Sequence, residues 1–367
     1  VRILVGPVQK TMANSSARAP ARLRVLTWNL WFSEFRMEQR ALAALRHAQL
    51  VDAHIIAFQE VTPRCFEYLA SDPWFNSTFT LSAKSPRDVS PYGCLLAVQS
   101  HLAAAFSCEP LPTRMERQLV RADLTLPDVK GHVQVATVHL ESLSNRQTRE
   151  QQLANIAGVL EGQPSILVGD FNFCSRREWS RRYRRDSDGV PSALLRWEKR
   201  GGSPPATTGL ENDSLNTLLP DHIDLWLALR GAEHGFTFDT ATNEMISQEG
   251  RYERMRYDRV LVSRQMEVHL RPAAIEIVGV DPLPAERGVA SSAQSAATPV
   301  YVSDHFGLLA TFIILGGQSE SLSAGRPLSV GRPAARQPQP LGDDHGWTTV
   351  TRGSRSRRSG KDLPSSS

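Results

Sequence analysis

The sequence predicts an α/β protein in which two packed β-sheets are covered by outer helices, and three observations lead there. Short apolar runs with strand character recur from residue 22 to about 316, with few helical patterns between them. Polar residues stand at the ends of those runs rather than inside them. A stretch of roughly 300 residues can bury its core as one α/β domain, so length requires no second one. Many strands with few intervening helices fit two sheets face to face with helices outside.

The elements follow in chain order. Leu23 to Trp28 reads as a strand, and Met37 to Leu50 carries apolar residues at helical spacing without Gly or Pro. His54 to Gln59 is the next strand, ending at Glu60. Further strands are expected at Cys94 to Val98, Leu119 to Leu124, Val133 to His139, Ile166 to Val168, Val260 to Val262, Ile275 to Val280 and Leu308 to Ile314. Asn145 to Leu160 reads as a helix with Asn145 placed to cap it. Two stretches break the pattern. An Arg-rich insertion, about residues 175–215, is expected to be a helix followed by a loose Gly/Ser/Pro/Thr-rich segment. Residues 317–367, rich in Pro, Gly, Ser, Arg and Gln, are expected to be disordered, as is the segment 1–21. Met12 reads as the initiator.

Composition bounds the class. Of 367 residues 41% are hydrophobic and 22% charged, which fits a soluble globular protein. No apolar run approaches the ~20 residues that span a bilayer, so no membrane is expected as partner. The first residues turn polar too soon for a secretory signal. Eight Arg/Lys against four Asp/Glu in residues 318–367 account for the net charge of +4, leaving the rest near neutral. Cys65, Cys94, Cys108 and Cys174 form no CxxC pair and read as reduced thiols, hence an intracellular protein. Arg352 to Lys361 has the composition of a nuclear-localisation or nonspecific nucleic-acid patch, and equally of a solubilising tail. Nucleus ahead of cytoplasm is the expectation.

The chemistry sits at the strand ends. Asn29 follows the first run, Glu60 ends the second, His139 ends Val133 to Val138, and Asp170 and Asn172 follow Ile166 to Gly169. Asp304 and His305 precede the run from Phe306. Any one such residue is ordinarily a turn or cap. Together they supply hard oxygen donors, amides and two imidazoles, with no nucleophilic Ser or Cys motif. That set suits Mg²⁺ or Mn²⁺ better than Zn²⁺. It also suits in-line attack of water on phosphorus, where the work is positioning and charge stabilisation.

Thr27-Trp28-Asn29, Phe58-Gln59-Glu60-Val61, His139-Leu140-Glu141-Ser142, Gly169-Asp170-Phe171-Asn172, Tyr257-Asp258-Arg259 and Ser303-Asp304-His305 occur in that order. Together they resemble the endonuclease/exonuclease/phosphatase superfamily over about residues 22–316. Within it the motifs resemble the tyrosyl-DNA phosphodiesterase branch, with Ser142 the discriminating residue and Phe306 standing where that branch has Trp. The resemblance implies a four-layer α/β/β/α sandwich of the DNase I-like kind. It implies Glu60 as metal ligand with Asn29 beside it, and Asp304 as a candidate for a second ion. Asp170 would align or deprotonate the water, and Asn172 would bond the phosphate or that water. His305 would stabilise phosphoryl charge, oriented by Asp258, while His139 and Ser142 would contact the phosphate oxygens. Trp226 and Phe238 fall in stretches that would touch substrate, and Asn29 would share that role. The implied substrate is DNA carrying a 5′ tyrosine or protein adduct, hydrolysed with Mg²⁺ to leave a 5′-phosphate in DNA repair. Alternatives on the same fold are an RNA deadenylase-like nuclease, an abasic endonuclease or a sphingomyelinase-like hydrolase. A catalytically silent nucleic-acid-binding module is the alternative from another class. The arginines from Arg176 to Arg185 would contact nucleic-acid phosphates, or form a solvated helix face.

Overall fold

The computed structural model describes residues 21–175, 211–246, 253–284 and 299–315, apart from 103, 127, 128, 130, 144 and 232. The chain divides into two units, Val1–Ser323 and Ala324–Ser367, and every described residue belongs to the first. Most of the Arg-rich insertion, the terminal segment 1–20 and the basic tail lie outside the described residues.

Each of two six-stranded mixed sheets is built around one parallel pair. In the first, β1 (Arg22–Asn29) runs parallel to β2 (Ile55–Val61), with α1 (Met37–Leu50) as the crossover. In the second, β7 (Val133–His139) runs parallel to β8 (Ser165–Asp170), with α4 (Arg146–Leu160) crossing over. The first sheet is completed by β3 (Phe79–Leu81), β4 (Gly93–Gln99), β13 (Leu270–Val278) and β14 (Gly307–Ile314), in the order β13-β14-β1-β2-β4-β3. The second has the order β5-β6-β7-β8-β12-β9, adding β5 (Ala104–Pro110), β6 (Gln118–Leu124), β9 (His222–Asp224) and β12 (Asp258–Ser263). A two-stranded ribbon, β10 (Phe238–Asp239) with β11 (Arg254–Met255), stands apart. Four shorter helices are described, α2 (Pro63–Ser71), α3 (Pro73–Thr78), α5 (Glu211–Leu218) and α6 (Leu225–Arg230).

Period-two alternation explains the layers. Leu23, Val25, Ile55 and Ala57 face Val133, Val135, Ile166 and Val168 in the core between the sheets. Their strand neighbours Leu26, Trp28, Ile56 and Phe58 pack outward on Ala41, Ala44, Leu45 and Ala48 of α1. On the far side Ala136, Val138 and Leu167 pack on Leu153, Ile156 and Leu160 of α4. The result is the expected sandwich, helices outside two sheets.

The inward positions are not uniform along the strands. They read Leu23, Val25, Thr27, Asn29 on β1, Ile55, Ala57, Gln59 on β2, Val133, Val135, Thr137, His139 on β7, and Ile166, Val168, Asp170 on β8. Apolar side chains thus give way to polar ones at the carboxyl ends of both parallel pairs. Gln59 marks the changeover, its amide donating to Thr27 Oγ1 at 3.1 Å and across the sandwich to Thr137 Oγ1 at 2.9 Å. The interior therefore opens into a polar cleft at one end.

Three local expectations are corrected. Asn145 occupies the N-cap position of α4 but makes no cap, because its amide donates instead to the Ser142 carbonyl at 2.7 Å. The strand expected through Val280 stops at Val278, where Gly279 turns with φ 75° and any Cβ would run into the Trp28 ring. The insertion, expected to extend to about residue 215, gives way to helix at Glu211.

Candidate active site

Asn29, at the end of β1, is buried and links the two acids. Its Nδ2 donates to Glu60 Oε1 at 3.2 Å and to Asp170 Oδ2 at 3.0 Å, while its Oδ1 accepts from the Trp31 amide at 2.9 Å. The oxygen a metal would need is engaged by backbone, so Asn29 holds carboxylates in place. Glu60 lies in a β-bulge, where the β2–β4 register shifts between Phe58 and Val61. Its φ of 57° swings the carboxylate out of the sheet and into the cleft. Trp31 (φ 57°) and Asn172 (φ 55°) share that strained left-handed conformation, which clusters at functional sites.

Asp170 is the best-supported acid. Its Oδ1 accepts the Asn172 amide at 2.8 Å, and Oδ2 lies 3.5 Å from His139 Nε2 and 4.0 Å from His305 Nε2. Burial opposes its ionisation, yet the charge of His305 and the amide donors hold it below the usual carboxylate range. Asn172 donates its side-chain amide to the Leu140 carbonyl at 2.8 Å, bracing the loop after His139. β12 enters antiparallel with Asp258 opposite Asp170.

The two histidines differ in charge. His305 Nδ1 meets Asp258 Oδ2 at 2.7 Å in a buried ion pair. Burial would lower the imidazole pKa, but the Asp258 charge and hydrogen bond raise it well above the ordinary value, leaving a fixed imidazolium. His139 is buried beside the Arg117 guanidinium, 2.9 Å from its Nδ1. Burial first, and the Arg117 charge second, push its pKa down to about 3. A guanidinium has no acceptor, so Nδ1 must accept and the neutral ring carries its proton on Nε2. That N–H points between Asp170 and Glu60 (3.8 Å) and has no hydrogen-bond partner among the described residues. Such a buried, unsatisfied donor is costly until an acceptor arrives.

Ser142 joins this side of the cleft, its hydroxyl oxygen accepting from Arg117 at 2.9 Å. Arg117 and Tyr92 belong to no motif, and neither is marked by residue type or spacing. Arg117 lies just before β6, and only the fold brings its guanidinium to the His139 ring, 22 residues along the chain. Its guanidinium lies over the Tyr92 ring, 5.1 Å from the centroid. A cavity of about 400 Å³ adjoins, lined by Tyr92, Arg117, His139, Lys84, Cys94 and Cys108 among others. All four cysteines are free.

Asp304, held by the Ser303 hydroxyl at 3.1 Å, completes the acid group on the Glu60 side. Burial raises the carboxyl pKa of both, to about 7 for Glu60, where the nearby Asp304 charge adds to the shift. Neither forms an ion pair with Lys or Arg among the described residues. Two neighbouring half-buried acids with no direct Lys or Arg partner among the described residues fit a divalent metal. Asp170, Asp258 and His305 also offer donor atoms within 4.8 Å of one another. There, however, the imidazolium already supplies the positive charge, so Glu60 and Asp304 are the better seat.

The two aromatic residues expected to touch substrate are both buried. Trp226, in α6, is buried in the core between the sheets, with its indole N–H on the Glu233 carbonyl at 3.0 Å. Asp224 caps that helix and forms a buried two-pronged pair with Arg256, which turns the tryptophan inward. Phe238 is also buried and meets the His305 ring edge-on, with centroids 5.2 Å apart. It packs the imidazolium in place.

An imidazolium, an ionised acid, a neutral imidazole donor and a metal-suited acid pair in one cleft, on this sandwich, define a phosphoester hydrolase. The chain belongs to the Endonuclease/Exonuclease/phosphatase family, whose model matches residues 26–305. Members are typically divalent-metal dependent. No curated protein matches the chain. Among solved structures it is similar to D. rerio TDP2 complexed with single strand DNA product, at 22% identity and TM-score 0.54, over 80% of this chain and 99% of that one. It is likewise similar to truncated Caenorhabditis elegans TDP2, at 18% identity and TM-score 0.54, over 80% and 98%. A Bacteroides thetaiotaomicron mannosyl-6-phosphatase aligns at 14% identity and TM-score 0.51, over 79% and 99%. At these identities the likeness establishes the fold.

Proposed function

We propose that this protein is a Mg²⁺-dependent phosphodiesterase that hydrolyses 5′-phosphotyrosyl-DNA, releasing the tyrosyl remnant and leaving a 5′-phosphate. The observation that carries this reading is the Arg117 guanidinium over Tyr92, beside His139 and a cavity of about 400 Å³. A tyrosyl phenol has a pKa near 10, so it departs as a phenolate without a proton donor. An alkoxide would need a general acid placed against it, and among the described residues the two groups that meet here, Arg117 and His139, do not supply one. Arg117 does not deprotonate, and the neutral His139 N–H is no acid. A fixed cation on an aromatic wall instead suits a departing aryl oxyanion.

The remaining residues take consistent parts. Asp170, ionised, orients a water and accepts its proton as the water oxygen bonds to phosphorus. The phosphorus–aryl oxygen bond breaks, and the phenolate keeps the electron pair. His305 and the His139 N–H stabilise charge on the phosphoryl oxygens. Mg²⁺ at Glu60 and Asp304 would add charge stabilisation there when bound. The likeness to a TDP2 solved with a single-stranded DNA product supports nucleic acid as the substrate.

The test is a parallel assay with Mg²⁺ on a 5′-phosphotyrosyl oligonucleotide, an abasic duplex, poly(A) and sphingomyelin. Cleavage of the tyrosyl substrate alone is expected. An untouched tyrosyl substrate beside cleavage of any other overturns the proposal.

A further inference from the structure

The loop after Asn29 displays an aromatic side chain that the proposed chemistry leaves unused. Phe32 is 49% exposed and Phe35, on the same loop, 47%. The Phe32 ring stacks on Tyr92, with centroids 5.3 Å apart and planes 25° from parallel. Tyr92 in turn lies under Arg117 and 6.3 Å from the His139 ring. An unbroken aromatic path therefore runs from the phosphate site outward to Phe32.

Phe32 is fixed in this exposed position. Its amide donates to Glu60 Oε2 at 2.9 Å, tying the loop to the cleft. The buried Arg40 guanidinium donates to the carbonyls of Leu30, Trp31, Ser33 and Phe35, holding the loop from behind. Water gains nothing from a rigidly held phenyl, whereas a ligand side chain gains contact area at little cost in ordering.

We infer that Phe32 forms a subsite for an apolar or aromatic side chain adjacent to the tyrosine in the protein remnant, and so sets leaving-group specificity. The inference rests on the tyrosyl reading above. If the tyrosyl ring occupies the Tyr92–Arg117 side of the phosphate, the attacking water lies opposite it and the DNA sugar is carried on a separate oxygen, for which the His305 and Phe238 side is open. What continues outward past Tyr92 to Phe32 is then peptide rather than nucleobase.

The full chain with Mg²⁺ would be given three 5′-linked oligonucleotides, carrying a single tyrosine, Gly-Tyr-Gly, or a tripeptide with Leu or Phe beside the Tyr. The apolar-flanked substrate should exceed the glycine-flanked one in kcat/KM by about fivefold, mainly through KM. In Phe32→Ala that ratio should fall to about one, and in Phe32→Tyr it should return. Three results overturn the inference while leaving the tyrosyl reading standing. They are a wild-type ratio of one, a ratio unchanged by Phe32→Ala, and an equal loss on all three substrates. Failure of the wild type to cleave any of the three overturns both.

Discussion

Within the cleft, neutral His139 and ionised Asp170 lie 3.5 Å apart, and each state has a consequence that can be measured. Replacing Asp170 by Asn keeps an acceptor for the Asn172 amide but removes the proton acceptor. Turnover should fall by about 10³-fold while the melting temperature stays close to wild type. A wild-type rate would refute the assignment. His139 ionises near 6.5 when unfolded but only near 3 when folded. Between those values the unfolded chain binds the extra proton, so stability falls as pH falls through that window. With chelator present, the wild type should lose about 2 kcal/mol more between pH 7 and pH 5 than His139→Asn. Urea titrations at the two pH values read that difference directly. Parallel losses in both proteins would mean that His139 is not held neutral.

At the scale of elements, the site exists because two parallel pairs end side by side. β8 depends on Gly169, whose φ of 132° and contact with the Val138 carbonyl leave no room for a Cβ. Gly169→Ala should therefore destabilise by about 2–4 kcal/mol, with Asp170 displaced and activity lost together. A soluble variant with unchanged melting temperature would contradict the β7–β8 register. Much of this arrangement was legible in the sequence. The strand runs, and the polar residues closing Leu23–Asn29, Val133–His139 and Ser165–Asp170, are periodic and local. What stayed hidden depends on partners far along the chain. Arg117 becomes a site residue only through its contact with His139 across the fold, and Trp226 turns inward because Asp224 pairs with Arg256. Asn145 has the sequence of a cap, but a nearer carbonyl at Ser142 takes its amide. The edge strand β5 went unseen because its Ala, Ser and Pro residues are only partly buried and give a weak apolar signal.

For the molecule as a whole, the cleft sets a stability cost that depends on pH and metal. Glu60 ionises near 7 in the fold against about 4.5 unfolded, because burial and the Asp304 charge favour its protonated form. A raised folded pKa means stability that is present below pH 4.5 and lost as pH rises through 7. The full change is on the order of 3 kcal/mol. His139 tilts stability the opposite way below pH 6.5, so the two effects oppose each other near pH 5–6 and the wild-type profile alone conceals both. Glu60→Gln separates them, since it removes the buried charge and keeps a polar group for the Phe32 amide. In chelator at pH 8 this variant should melt higher than wild type. Adding Mg²⁺ or Mn²⁺ should raise the wild-type melting temperature, because a cation bound only by the folded state neutralises Glu60 and Asp304. The variant should gain much less. Thermal scans at pH 8, with and without metal, decide the matter. An identical metal response in the two proteins would move the ion away from Glu60.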